Sequence, residues 1–218
     1  MKKQLTQKYL ALIIVAISFI YLISCQKETS RITSAKIIYT DIIPDTIIAA
    51  PNATSEYILD LDNNGVNDFT FECFYNRTEC RFNGTYGFKT YLKVKPVDNS
   101  FNEVLNISVD PAVSYTYPTA LDTLNEIGTT SHDWSSASSQ FLKYIDACPF
   151  GAGGYINEYG NWPDNNDKYL GLKLINGNQA FYGWVRINVH LNIGIEMMIK
   201  DYAYNSAPNE LIHAGQKQ

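Results

Sequence analysis

Outside its N-terminal leader this chain has almost no helical periodicity, and that excludes a helix bundle or a fold built on crossover helices. The best candidate for a short helix is Ser135–Ile145, S-S-A-S-S-Q-F-L-K-Y-I. Positive charge is also scarce, with 17 Lys and Arg against 22 Asp and Glu and a net charge of −5. Residues 1–24 hold Lys2, Lys3 and Lys8 but no acid, so losing them moves the net charge to about −8. With no basic patch to neutralise phosphates, nucleic acid is excluded as a partner. Catalytic signatures are missing as well: no H-E-x-x-H, nucleophile elbow or P-loop occurs. Ser131-His132-Asp133 reads as a loop, because triad members meet in space and rarely in sequence.

Only one long hydrophobic run is present, Tyr9 to Ile23 behind a basic start. It is shorter than the ~20 residues of a spanning helix and has the form of a signal-peptide core. It ends in Leu22-Ile23-Ser24-Cys25, which resembles a bacterial lipobox. That resemblance implies cleavage before Cys25 and acylation of its thiol. Each buried methylene of the acyl chains contributes ~0.8 kcal/mol of membrane affinity. Gln26, where inner-membrane retention would use Asp, is similar to an outer-membrane sorting pattern. The expected organisation is a leader over 1–24, a lipidated N-terminus and tether over 25–35, and one domain over 36–218.

What is plentiful is strand chemistry: 16 Tyr, 10 Phe and many β-branched residues, broken by Asn and Gly turns. Ala35–Thr40 reads as a first strand and Asp41–Asn52 as a second extended piece broken by Pro44 and Pro51. Phe69, Phe71, Cys73 and Tyr75 alternate with Thr70 and Glu72. In Phe88–Lys95 the lysines 89, 93 and 95 point outward while Leu92 and Val94 point inward. Lys168–Ile175 and Ala180–Leu191 flank Asn176-Gly177, a hairpin signal, and Gly194–Tyr204 is a last full strand. About ten strands without crossover helices predict an all-β, antiparallel β-sandwich of jelly-roll type.

Between two of those strands lies a D-x-D-x-N-G-x-x-D loop. Asp60, Asp62, Asn64 and Asp68 take positions 1, 3, 5 and 9, Gly65 position 6, and Val66 offers its carbonyl at position 7. Alternating oxygens around a tight reversal suit Ca²⁺, which accepts six to eight oxygens at flexible distances. It is not an EF-hand: position 12 is Phe71 instead of Glu, and the flanks are strand-like. The alternative is an Asn-Gly turn with solvated acids. Asp164-Asn165-Asn166-Asp167 lacks the glycine and spacing for a second such loop.

With Cys25 assigned to lipid, Cys73, Cys80 and Cys148 remain. A hairpin bridge between Cys73 and Cys80 is the favoured pairing, although Cys148 could join either. Candidate ligand-binding aromatics are Trp134 and Trp162, in the irregular stretch from Asp110 to Asp167, and Trp184. Trp184 shares a strand face with Tyr182, Arg186 and His190 that could form a sugar-binding platform, but its burial under a loop or in the second sheet is the favoured reading. Asp45-Thr46-Ile47 and Asp122-Thr123-Leu124 resemble a periplasmic O-glycosylation sequon, which implies modification at Thr46 and Thr123.

L-D-L-D-N-N-G-V-N-D-F (59–69), Y-G-W-V-R-I (182–187) and K-D-Y-A-Y-N (200–205), with Pro208 and Ala214-Gly215, resemble uncharacterised bacterial secreted β-sandwich modules. Such modules often carry PEP-CTERM or type IX sorting tails. The likeness covers roughly Ser55 to Gly215 with the middle third unmatched. It implies a calcium-type loop and surface exposure but no activity; no sorting tail is expected after Gln216-Lys217-Gln218. The expectation is a calcium-stabilised outer-membrane or surface lipoprotein, anchored by its lipid and acting non-catalytically in adhesion or binding of glycan or protein. The alternative is a secreted hydrolase or an accessory subunit of a polysaccharide-uptake system.

Overall fold

The computed structural model describes residues 36–51, 53–80, 84–97, 100–107, 117–130, 133–138, 140–149, 153–191 and 195–218. The leader, Cys25 and the tether lie outside the described residues, as do Ser131 and His132.

The chain forms two antiparallel sheets with a core between them. One contains β1 (Ile37–Ala49), β5 (Glu103–Ile107), β6 (Tyr117–Pro118), β8 (Trp134–Ser135), β11 (Asp167–Asn176), β12 (Gln179–Leu191) and β13 (Ile195–Asn205). Its order is β1-β13-β12-β11-β5-β6, and β8 also pairs with β5. The other contains β2 (Thr54–Leu59), β3 (Phe69–Glu79), β4 (Tyr86–Pro96), β9 (Gln140–Cys148) and β10 (Tyr155–Tyr159), ordered β10-β9-β4-β3-β2. A short pair, β7 (Glu126–Ile127) and β14 (Ile212–His213), stands apart.

Period-two alternation builds the core. Phe69 and Phe71 of β3 and Leu92 and Val94 of β4 point inward and pack with Val185 and Ile187 of β12. The opposite face of β12 is buried as well. Tyr182 and Trp184 join Leu105, Leu121, Ile127 and Ile212 in a second cluster under the loops around β7 and the C-terminal segment. The middle of the seven-stranded sheet, around Tyr182 and Trp184, is therefore covered on both faces, whereas Arg186, Asp167 and Lys200 of the same sheet remain partly exposed.

A bulge in β13 sets which side chains go where. Arg186 pairs with Asp201 but Ile187 with Ile199, so Lys200 is the extra residue. Ile195, Met197 and Ile199 face the main core before it; Tyr202 faces that core after it, and Asp201 and Ala203 face the other way. Against the same point β1 skips from Asp41 to Thr46, so the two pieces expected to divide between Thr40 and Asp41 are one strand, interrupted by a bulge of four residues.

Two expectations are corrected here. Ser135–Ile145 is not a helix but the end of β8 and most of β9, because Leu142 and Ile145 reach the core only when the segment pairs with β4. The disulfide is Cys80–Cys148, not Cys73–Cys80. The β3–β4 hairpin runs on to Glu79 opposite Tyr86, so Cys73 faces Leu92 and Cys80 reaches the hairpin end, beside the last residue of β9. Cys73 is buried, its thiol donates to the Ile195 carbonyl at 3.1 Å, and burial pushes that thiol up to about 11.

Gly87 makes room for this junction. A Cβ there would lie 2.0 Å from the Ala147 carbonyl oxygen and 2.7 Å from Cys148 Sγ. Gly87→Ala is expected to cost ~1–3 kcal/mol by overpacking, read as a lower denaturant midpoint. An unchanged midpoint would mean that β4 and β9 are not so close.

Candidate functional site

The D-x-D-x-N-G-x-x-D segment is the connection between β2 and β3, as its aromatic and β-branched flanks require. Local chemistry shapes it. Asn63 and Gly65 adopt φ of 58° and 88°, a left-handed geometry that asparagine tolerates and glycine adopts freely. The Asn64 N–H donates to Asp60 Oδ1 at 3.1 Å and the Gly65 N–H to Asp60 Oδ2 at 2.7 Å. The Val66 N–H donates to Asn64 Oδ1 at 2.7 Å.

Long-range contacts fix the loop to the body. Leu61, fully buried, inserts between the sheets and comes within 3.0 Å of where a Cβ on Gly183 would stand, though it is the Ala203 carbonyl oxygen at 2.7 Å that requires a glycine inside β12. The Tyr202 hydroxyl donates to Asn63 Oδ1 at 2.8 Å. Asp68 is buried; it accepts from the Leu61 N–H at 2.8 Å and from Asn102 Nδ2 at 3.2 Å.

The outcome is that Asp60, Asp62 and Asp68 converge, with one oxygen from each within 4.8 Å of the others. Burial, reinforced by the neighbouring Asp62 and Asp60 charges, pushes the Asp68 carboxyl up to about 6 against the pull of the Leu61 N–H. Burial raises Asp62 as well, with Asp60 adding to it. Asn64 turns its oxygen to the Val66 N–H, and Val66 itself is exposed. Such a set of hard oxygens, two of them unfavourably placed as anions, can accept a divalent cation or a proton.

Beside the loop lies a cleft of about 470 Å³. Asp62 and Asp68 line it together with Ser100, Phe101 and Asn102, and Leu174, Phe181 and Tyr204 are among the other lining residues. Phe101 and Asn102, more than thirty residues along the chain, carried no signal in the sequence. Their place comes from the β4–β5 connection folding back, where Asn102 Oδ1 accepts the Ile175 N–H at 3.0 Å.

The tryptophans fall elsewhere. Trp184 is fully buried, meets Tyr169 edge-on at 5.2 Å, and donates its indole N–H to the Gln216 carbonyl at 3.2 Å. Trp162 is 3% exposed and belongs to the main core. Trp162 is thereby corrected from a ligand-binding candidate to a core residue, whereas Trp184 takes the buried position favoured for it; the apolar area of an indole is worth more inside. Trp134 is half-buried, packed on Tyr182 at 5.6 Å with the Lys173 ammonium 5.4 Å from its ring centre. The acids at Asp164 and Asp167 are taken by Lys143 at 2.8 Å and Lys200 at 2.8 Å, which removes them as a second cation loop. Thr46 sits half-buried in β1, and Thr123 is exposed in the turn before β7.

A scan against known protein families, a search of curated proteins and a search of solved structures each return no match.

Proposed function

We propose that this protein is a calcium-stabilised envelope module, held on the outer membrane or cell surface through a lipid on Cys25 and acting by binding a glycan or protein, without catalysis. The observation that carries the reading is the convergence of the Asp60, Asp62 and Asp68 carboxylates on a hairpin loop anchored to both sheets. Asn64 and the Val66 carbonyl complete the ligand set. The lipobox at Leu22–Cys25 supports the anchor. The ion would relieve carboxylate repulsion and lock β2 against β3.

The effect of calcium on stability is modest. Extracellular sites bind at ~0.1–1 mM, so millimolar calcium adds ~0.4–1.4 kcal/mol, or ~1–5 °C of melting temperature for a domain of this size. Melting in calcium and in EDTA tests this, with Asp62→Ala/Asp68→Ala expected to erase the difference. A wild-type melt indifferent to EDTA would sink the reading.

The pH dependence has a definite sign. Without metal, the folded-state value for Asp68 of about 6 lies above its ordinary 3.8. Its contribution to stability is then complete below pH 3.8 and lost as pH rises through about 6. In EDTA the protein is expected to melt lower at neutral pH than near pH ~5, and calcium to oppose that loss.

A further inference from the structure

The cleft beside the hairpin loop has a lining that selects among ligands. Among the described residues neither Lys, Arg nor His lines it, while Asp62 and Asp68 do. Three carboxylates and one Ca²⁺ still sum to a net negative charge, so an anionic ligand would find no counter-charge. What the walls do offer is amides and hydroxyls, from Asn67, Asn176 and Ser206, alongside aromatic surface. Amides and hydroxyls supply both donors and acceptors, which is what a sugar hydroxyl needs.

One further feature points to an occupant. Ser100 lines the cleft, but its Oγ is buried out of reach of solvent. Phe101, which also lines it, is 79% exposed, an apolar ring with little of the chain covering it. The aromatic row on the outer face of the five-stranded sheet differs. There Phe74 stacks on Tyr91 at 4.7 Å and Tyr144 on Tyr159 at 5.7 Å, so the rings cover one another as cross-strand packing.

We propose that this cleft binds a neutral saccharide, with a vicinal diol of the sugar completing the calcium coordination and a sugar face lying on Phe101. It rests on the calcium reading above. Calcium takes six to eight oxygens. The three carboxylates, Asn64 and the Val66 carbonyl supply five donors, leaving positions that adjacent hydroxyls can fill in place of water. A volume of about 470 Å³ falls within the range of small-ligand pockets and suits a mono- or disaccharide.

The test uses the full chain in detergent on an immobilised panel of neutral oligosaccharides (mannose-, galactose-, fucose- and glucose-terminated) and their sialylated and sulfated counterparts, in millimolar calcium or EDTA. Retention by one or more neutral members is expected, falling at least ~10-fold in EDTA, as loss of a ligand bound through the metal would give. Phe101→Ala should fall similarly while keeping the calcium-induced rise in melting temperature, and Phe101→Trp should retain binding. A calcium-dependent melt with a blank panel overturns the saccharide site and leaves the calcium reading standing. Retention that ignores EDTA or Phe101→Ala, or that prefers anionic members, overturns it too. A melt indifferent to calcium overturns both.

Discussion

Cys80→Ser is expected to lower the melting temperature by ~8–16 °C. The Cys80–Cys148 bridge spans a sequence separation of 68 residues. Closing a loop of that length restricts the unfolded chain by about 4 kcal/mol in the chain-entropy account, and each kcal/mol moves the midpoint by ~2–4 °C in a domain of this size. Cys148→Ser and reduction of the wild type should give the same loss. Cys73→Ala should leave the bridge intact, since its thiol lies buried against the Ile195 carbonyl. Peptide mapping checks the pairing directly: a fragment joining Cys80 to Cys148 should vanish on reduction. A fragment joining Cys73 to Cys80 would refute the described hairpin register.

Arg186→Ala is expected to cost about 3 kcal/mol, because it strands a buried charge. Asp201 has no solvent exposure and accepts two parallel bonds from Arg186, Nε to Oδ1 and Nη2 to Oδ2, each at 2.8 Å. The Tyr39 hydroxyl at 2.9 Å and Lys217 Nζ at 3.2 Å remain after the substitution, which keeps the loss toward the low end for a broken buried pair. Adding Asp201→Asn should recover much of the loss by removing the charge itself. Urea denaturation of the single and double variants measures the coupling. A single-variant loss below ~0.5 kcal/mol would mean that the carboxylate is hydrated in solution.

Much of the architecture was legible in residue alternation. Phe69, Phe71 and Cys73 against Thr70 and Glu72, and Leu92 and Val94 against the lysines beside them, gave strands with the correct inward faces. The glycine and asparagine of the hairpin loop marked a reversal, and the reversal is there. What could not be read were facts that depend on distant pairing. Cys80 meets Cys148 only because β9 lies beside β4. Gln140–Cys148 has no helical or strand signature strong enough to decide alone; pairing decides it. Asn102 and Tyr202 hold the acidic loop in place from two separate segments, bonding Asp68 and Asn63 of the loop, and no local pattern announces them. Trp184 was assigned to the correct face, but whether that face was wet depended on a cover formed by the C-terminal segment and the loops around β7.

That cover has a practical consequence. With the middle of β12 covered on both faces, epitope tags, fluorophores or crosslinkers attached at Tyr182 to Val185 would have nowhere to go. The outer face of β3 and β4 is where decoration should be tolerated, Lys89 and Asn76 being exposed there.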